Sequence, residues 1–278
     1  MKQRFKLLTL ALALMAGMAM TSCLNTESDP TVYASPVVKV YTSYLGMGVY
    51  FETIDGQRIE PTEESYNASV SQGMNWSSYN GQIIQLQYSY DSESLDVEIT
   101  EDGISGVTLI GFTPMNSAVE VVETEGAPND SISNMPIISI GEENYNGTSV
   151  KAQYWDERTL FVPINYYISS SVHNFTLEYR PYENGLANDG TLRLYLEHDK
   201  EKDNPSQQTT SWDYALYGNS FLYYRAFNLS KIENYLQMQG QAMPTSVTIV
   251  TREDDYSMEL KDETSTKEYV VTYGSEEE

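Results

Sequence analysis

Short runs of β-branched and aromatic residues, separated by polar turn-formers, recur along the chain from Pro36, and this punctuation narrows the fold most. PVVKVYTSY, GVYFETIDGQRI, GQIIQLQYSY, LDVEIT and ISGVTLIGFTP are strand-like runs of this kind, built from residues that suit a pleated, half-buried surface. Asp55-Gly56 stands between two of them and signals a hairpin. In GQIIQLQYSY, Ile84, Leu86, Tyr88 and Tyr90 share one face, and Gln85 and Gln87 take the other. About five strands in roughly 80 residues predict a small barrel over residues 36–125. The polar stretch from Pro61 to Asn80 leaves room for a helix or an irregular loop.

Ser117 to Pro136 has the texture of a boundary, with Gly126, Pro128, Asn129, Asp130, Asn134 and Pro136 marking a linker over 126–136. Strand texture resumes at Ile137 and runs to the end through VKAQYW, TLFVPINYYI, NFTLEYR, TLRLYLEHD, SFLYYRAFNL, SVTIVTRE, YSMELKD and KEYVVTY. Spacing of this kind with polar turns predicts an antiparallel β-sandwich over 137–274. One helix is expected, Ser230 to Met238, with Ser230 as N-cap and Glu233 completing a capping box. The acidic tail 275–278 is expected to fray. The fold class is therefore all-β: a barrel, then a sandwich.

The N-terminus sets the compartment. Lys2, Arg4 and Lys6 precede an apolar run from Leu7 to Met20, and Met20-Thr21-Ser22-Cys23 follows. The run is shorter than the roughly 20 residues a membrane-spanning helix needs. It reads as an export signal over residues 1–22. Its ending resembles a bacterial lipobox, in which Cys23 is diacylated and becomes the new N-terminus. The membrane is then engaged through lipid, and two acyl chains give stable attachment. Residues 23–35, with Glu27, Asp29 and Pro30, read as a tether. Cys23 is the only cysteine, so no disulfide, thiolate nucleophile or thiolate metal ligand is expected, and the exported domains must be held by their cores. With 16 Lys+Arg against 40 Asp+Glu the net charge is −24. Such a surface repels phosphate backbones, and nucleic acid is excluded as a partner.

The motifs also come in a recognisable order. After the lipobox stand F-x-x-x-D-G-x-x-x-x-P (Phe51, Asp55, Gly56, Pro61), G-Q-I-I-Q-L-Q-Y (Gly81 to Tyr88) and N-D-S-I-S-N-M-P (Asn129 to Pro136). L-Y-L-E-H-D (Leu194 to Asp199), F-N-L (Phe227 to Leu229) and K-E-Y-V-V-T-Y (Lys267 to Tyr273) complete the series. The chain resembles the NigD-like lipoproteins of the Bacteroidetes over nearly all of its mature length. The resemblance implies an OB-like barrel followed by a β-sandwich, and a bacteriocin-associated immunity or accessory role. It implies no catalytic residues. F-N-L departs from the more usual F-D-L.

Residue by residue, the chemistry is sparse. His198 continues the face of Leu192, Leu194 and Leu196 and reads as a hydrogen-bonded inward or strand-end residue, against the competing reading of a metal ligand or base with Glu197, Asp199 or Asp203 nearby. His173 lies in the Ser-rich turn ISSSVHN, with no G-x-S-x-G around it. Neither histidine has zinc-ligand spacing. The acid pairs Glu63/Glu64, Asp91/Glu93, Glu142/Glu143 and Asp254/Asp255 read as solvated faces, and Asn184–Asp189 and Asp199–Asp203 do not match a calcium loop. No catalytic residue, metal or cofactor is expected. Trp76, Trp155, Tyr167 and Tyr223 are the aromatics that would contact a ligand, against the competing reading of core or edge-strand cover. Asp130-Ser131-Ile132 resembles the D-[ST]-aliphatic O-glycosylation acceptor of Bacteroidetes, which makes Ser131 a modification candidate. The sequence thus predicts a non-catalytic, lipid-anchored envelope protein, placed in the outer membrane, that binds an envelope protein. The alternative is a surface glycan-binding protein using exposed Tyr and Trp.

Overall fold

The computed structural model describes residues 30–43, 48–126, 133–143, 149–168, 171–183, 191–203, 224–257, 259–261 and 264–274. The signal segment, Cys23, Ser131, Tyr223, the Asn184–Asp189 loop and the acidic tail lie outside them. The chain divides into two compact units, Met1–Pro114 and Met115–Glu278. Among the described residues no helix is long and apolar enough to cross a membrane.

The first unit contains β1 (Thr31–Ala34), β2 (Val37–Thr42), β3 (Val49–Glu52), β4 (Arg58–Pro61), α1 (Glu63–Ser71), β5 (Ile83–Asp91), β6 (Glu98–Thr100) and β7 (Gly103–Pro114). Strands β5, β2, β3, β4 and β7 are neighbours in that order, and pairing of β5 with β7 closes the ring. The β4–β7 pair is parallel and the other ring pairs are antiparallel. This is the five-stranded Greek-key barrel of OB type. The Asp55-Gly56 hairpin forms as expected: Gly56 sits at φ 83°, and Thr53 Oγ1 donates to Asp55 Oδ1 at 2.6 Å. Gly103 is required where β4 meets β7, since a Cβ there would stand 1.8 Å from the Arg58 carbonyl oxygen. The polar stretch after β4 becomes α1, whose N-cap Thr62 accepts from the Ser65 N–H at 3.1 Å. Glu63 and Glu64 lie exposed in its first turn, where the helix dipole favours acids. The Ser65 hydroxyl in turn accepts the Leu109 N–H at 2.8 Å, tying α1 to β7.

The second unit contains β8 (Asn116–Val121), β9 (Ser139–Ile140), β10 (Glu142–Glu143), β11 (Ser149–Val150), β12 (Gln153–Asp156), β13 (Thr159–Asn165) and β14 (Asn174–Tyr179). It continues with β15 (Leu192–Asp199), β16 (Tyr224–Asn228), α2 (Ser230–Met238), β17 (Ser246–Glu253) and β18 (Ser265–Thr272). The main sheet runs β12-β13-β16-β8-β14-β15-β17-β18, with β9 on β13. It curls until Tyr154 of β12 meets Tyr273 beyond β18 edge to face at 5.6 Å. Both sheets are barrel-like and the protein is all-β. Burial alternates strictly along β15, with Leu192, Leu194, Leu196 and His198 inside. Each such leucine contributes about 1.5–3 kcal/mol by leaving water.

Four expectations need correction. Thr31–Ala34 is not tether: it pairs with β5. The first unit ends at Pro114, not at residue 125, because Asn116–Val121 enters the second sheet between β16 and β14. Residues 133–137 do not link loosely, since Met135 and Ile137 are buried. The second sheet is also not purely antiparallel. Its β16–β8, β14–β8 and β15–β17 pairs are parallel, which requires crossovers instead of hairpins. A smaller difference concerns α2: its expected capping box does not form. Asn228 Oδ1 accepts the Ser230 N–H at 2.9 Å, and Glu233 pairs with Arg158 at 2.8 Å.

Candidate functional site

Two constellations stand out, one on the outer face of the first barrel and one inside the second. In the first barrel the strand alternation turns Val38, Val40, Val49, Phe51 and Ile59 inward, where all are buried. Lys39, Tyr41, Tyr50 and Arg58 therefore stand outward. Tyr41 and Tyr50 are directly opposed in the β2–β3 register, and their rings stack at 5.0 Å with 7° between planes. The Arg58 guanidinium lies 3.8 Å over the Tyr50 ring, and the Lys39 ammonium lies 5.8 Å over Tyr41. Tyr50 is thus sandwiched between the Tyr41 ring and the Arg58 guanidinium, with the Lys39 ammonium near the Tyr41 ring. Glu60 pairs with Arg58, whose side chain keeps half its surface in solvent. Both faces of Tyr50 are taken up in this way, so that ring offers its edge and polar tip in place of an open platform.

Inside the second unit the two histidines, 25 residues apart in sequence, meet. His173 Nδ1 lies 2.9 Å from His198 Nε2. His173 Nε2 lies 3.0 Å from Asp203 Oδ2, and His198 Nδ1 lies 3.2 Å from the Pro136 carbonyl oxygen. All three side chains are buried. Asp203 Oδ1 also accepts the Ser171 N–H at 2.7 Å, so one carboxylate holds the turn before β14. Tyr166 and Phe175 wall the chain, with the Phe175 ring stacked on His198 at 4.4 Å. Arg225 Nη2 donates to the Tyr166 hydroxyl at 3.3 Å. Burial holds His198 well below the ordinary histidine range, and the neighbouring His173 adds to this. Burial lowers His173 as well, opposed by Asp203. Each ring nitrogen is engaged inside the protein, so neither histidine presents a free nitrogen to a substrate.

The structure separates the aromatic candidates. Trp76 is a core residue and not a ligand contact: it is 5% exposed, packs edge-on to Phe51 at 5.4 Å and donates its Nε1–H to Ser69 Oγ at 2.8 Å. The barrel needs a large side chain beneath α1, and Ser69 satisfies the indole. Trp155 is half-buried against Phe161 at 5.3 Å. Tyr167 is half-buried and donates to the Asp255 carbonyl at 2.6 Å. Trp76 thus belongs to the first unit, and Trp155 and Tyr167 to the second. Asp91 and Asp254 cap turns by accepting the Glu93 and Tyr256 N–H groups. Among the described residues no group of three His, Cys, Asp or Glu side chains is placed to hold a metal. Sequence reading placed Asp203 near His198 but missed His173 as the link between them, and it missed the Tyr41–Tyr50 stack. The alternation of β2 and β3 could have shown the stack once their register was known.

No family model matches the chain, and no curated protein does. Solved structures do. A candidate lipoprotein from Bacteroides fragilis NCTC 9343 shares 22% identity, covers 88% of this chain and 100% of its own, and superposes with a TM-score of 0.61. A protein of unknown function from Bacteroides vulgatus ATCC 8482 shares 13% identity over 87% of this chain and 91% of its own, with a TM-score of 0.47. A NigD-like immunity protein from Bacteroides caccae ATCC 43185 shares 11% identity over 88% of this chain and 94% of its own, with a TM-score of 0.37. The first of these shows a common fold across both units.

Proposed function

We propose that this chain is a lipid-anchored accessory protein of the bacterial cell envelope, of NigD-like kind, that acts by binding an envelope protein and not by turnover. Cys23 carries the anchor in this reading, and the outer membrane is where it is held. The observation that carries the binding role is the outward Lys39–Tyr41–Tyr50–Arg58 stack. Tyr and Arg are the residue types that dominate protein–protein contact energies, and a stack already ordered by its own rings loses little entropy on binding. The fold shared with a candidate Bacteroides lipoprotein supports the anchored setting. The internal engagement of both histidines supports a role without acid–base chemistry. The resemblance to NigD-like proteins supplies bacteriocin immunity as the context.

The test is a crosslinking capture of the native protein from its host's envelope, beside Cys23→Ala and Tyr50→Ala/Arg58→Ala variants. One reproducible protein partner, lost in both variants, is the expected result. Retained polysaccharide with no protein partner would overturn this reading and favour a glycan ligand.

A further inference from the structure

The Asp203–His173–His198–Pro136 chain contains three contacts, and each has room for one proton between its heavy atoms. The Pro136 carbonyl only accepts. With Asp203 ionised and both rings neutral, two protons serve three contacts. The best placement puts His173 Nε2–H on Asp203 and His198 Nε2–H on His173 Nδ1. It leaves the His198 Nδ1 lone pair facing the Pro136 oxygen. A third proton satisfies every contact. His198 then donates Nδ1–H to Pro136, its Nε2 accepts from His173 Nδ1–H, and His173 is a cation against Asp203. A fourth on His198 would set two N–H groups against each other.

We propose that this chain is a two-state proton relay, in which uptake of one proton reverses the middle hydrogen bond and fastens His198 to the Pro136 carbonyl. The segment being fastened is also held by the Asn134 N–H on the His198 carbonyl at 3.0 Å, by the Asn134 side chain between Asp199 Oδ1 and the Lys200 N–H, and by Ile137, whose N–H donates to the Arg252 carbonyl and whose carbonyl accepts the Asp254 N–H, each at 2.9 Å. The groups that set the transition come from every neighbouring element. Asp203 and Asp199 at the end of β15 favour the added proton. Arg225 on β16 disfavours it, while Tyr166 beyond β13 and Phe175 on β14 exclude water. Burial places the transition below the ordinary histidine range. The relay makes closure of the 133–137 segment a function of acidity, independent of which partner the first barrel binds.

The experiment is a ¹⁵N-histidine NMR titration of the complete chain in detergent from pH 8 to pH 4.5, alone and as Asp203→Asn. At high pH both rings should show the Nε2–H tautomer. On acidification His198 should change to Nδ1–H while His173 becomes a cation, at one shared midpoint. Asp203→Asn should move that midpoint down by at least one pH unit. Separate midpoints, a His198 tautomer that never changes while the protein is folded, or averaged tautomers on both rings would each overturn the relay. Should Asp203→Asn not fold, the wild-type titration decides alone.

Discussion

In the first barrel the interior is closed by aromatic contact, with Trp76 against Phe51 and Phe112 and Tyr79 edge-on to Phe112 at 4.8 Å. In the second it is closed by Leu, Ile and Val from six or more strands, and at one end by a buried polar chain of His173, His198 and Asp203. Neither barrel contains an internal disulfide, since Cys23 is the chain's one cysteine. The difference lies in what each core does with polar atoms. Among the described residues the first buries the Trp76 indole N–H, satisfied by Ser69, and the neutral Ser65 and Gln85 side chains, but no Asp, Glu, His, Lys or Arg. The second buries ionisable groups whose satisfaction depends on proton count. One unit should therefore be indifferent to mild acid and the other should not.

The largest effect should come from Trp76→Ala. Removing a buried indole from the small ring should cost about 3–5 kcal/mol, read as faster amide exchange in β5 with β13–β15 unchanged. Equal loosening of both units would break the contrast. Next, Asp203→Ala should cost the second unit about 3 kcal/mol, because it strands His173 and the Ser171 N–H in a dry site; thermal unfolding with exchange mass spectrometry reads it. The third prediction is a pH window. Both histidines titrate below their ordinary value in the native protein, so between that value, about 6.5, and the lowered one the unfolded chain binds more protons. Stability of the second unit should therefore fall as pH drops below about 6.5. The first unit, which contains no histidine, should hold through the upper part of that window. A chemical-denaturation series at pH 7.5, 6.5 and 5.5 checks it. Loss of the α1 cap by Thr62→Ala should cost the first unit about 1 kcal/mol. Smallest in stability is Arg58→Ala, within about 0.5 kcal/mol, with partner capture reduced.

Local features were readable from the sequence where local chemistry decides them. The Asp55-Gly56 hairpin, the buried face of Ile84, Leu86 and Tyr88 and the inward path of His198 all follow from turn residues or a period of two. What escaped was partner choice. Thr31–Ala34 carries strand-forming Val32 and Tyr33, but it is only four residues long and follows the polar run ending at Pro30, so it reads as part of the tether. Asn116–Val121 has strand-forming residues, yet the Gly, Pro and Asn that follow marked the region as a boundary. Which sheet it joins depends on strands far along the chain. Asp203 met His173 only because β14 and β15 are antiparallel neighbours, bringing one turn beside another. Trp76 sits beside polar residues in sequence, and only the ring of strands around it makes its position interior.

One residue separates β7 from β8: the first barrel ends at Pro114 and the second sheet's inner strand begins at Asn116. Its neighbours β14 and β16 begin only at Asn174 and Tyr224. During synthesis from the N-terminus, the first barrel can finish while β8 waits with both edges unpaired. The strand destined for the middle of the second sheet is the earliest made and among the last to be sheltered. That interval exposes a ready template for pairing with other chains, so the capture of β8 is the step of maturation at which a chaperone has most to guard.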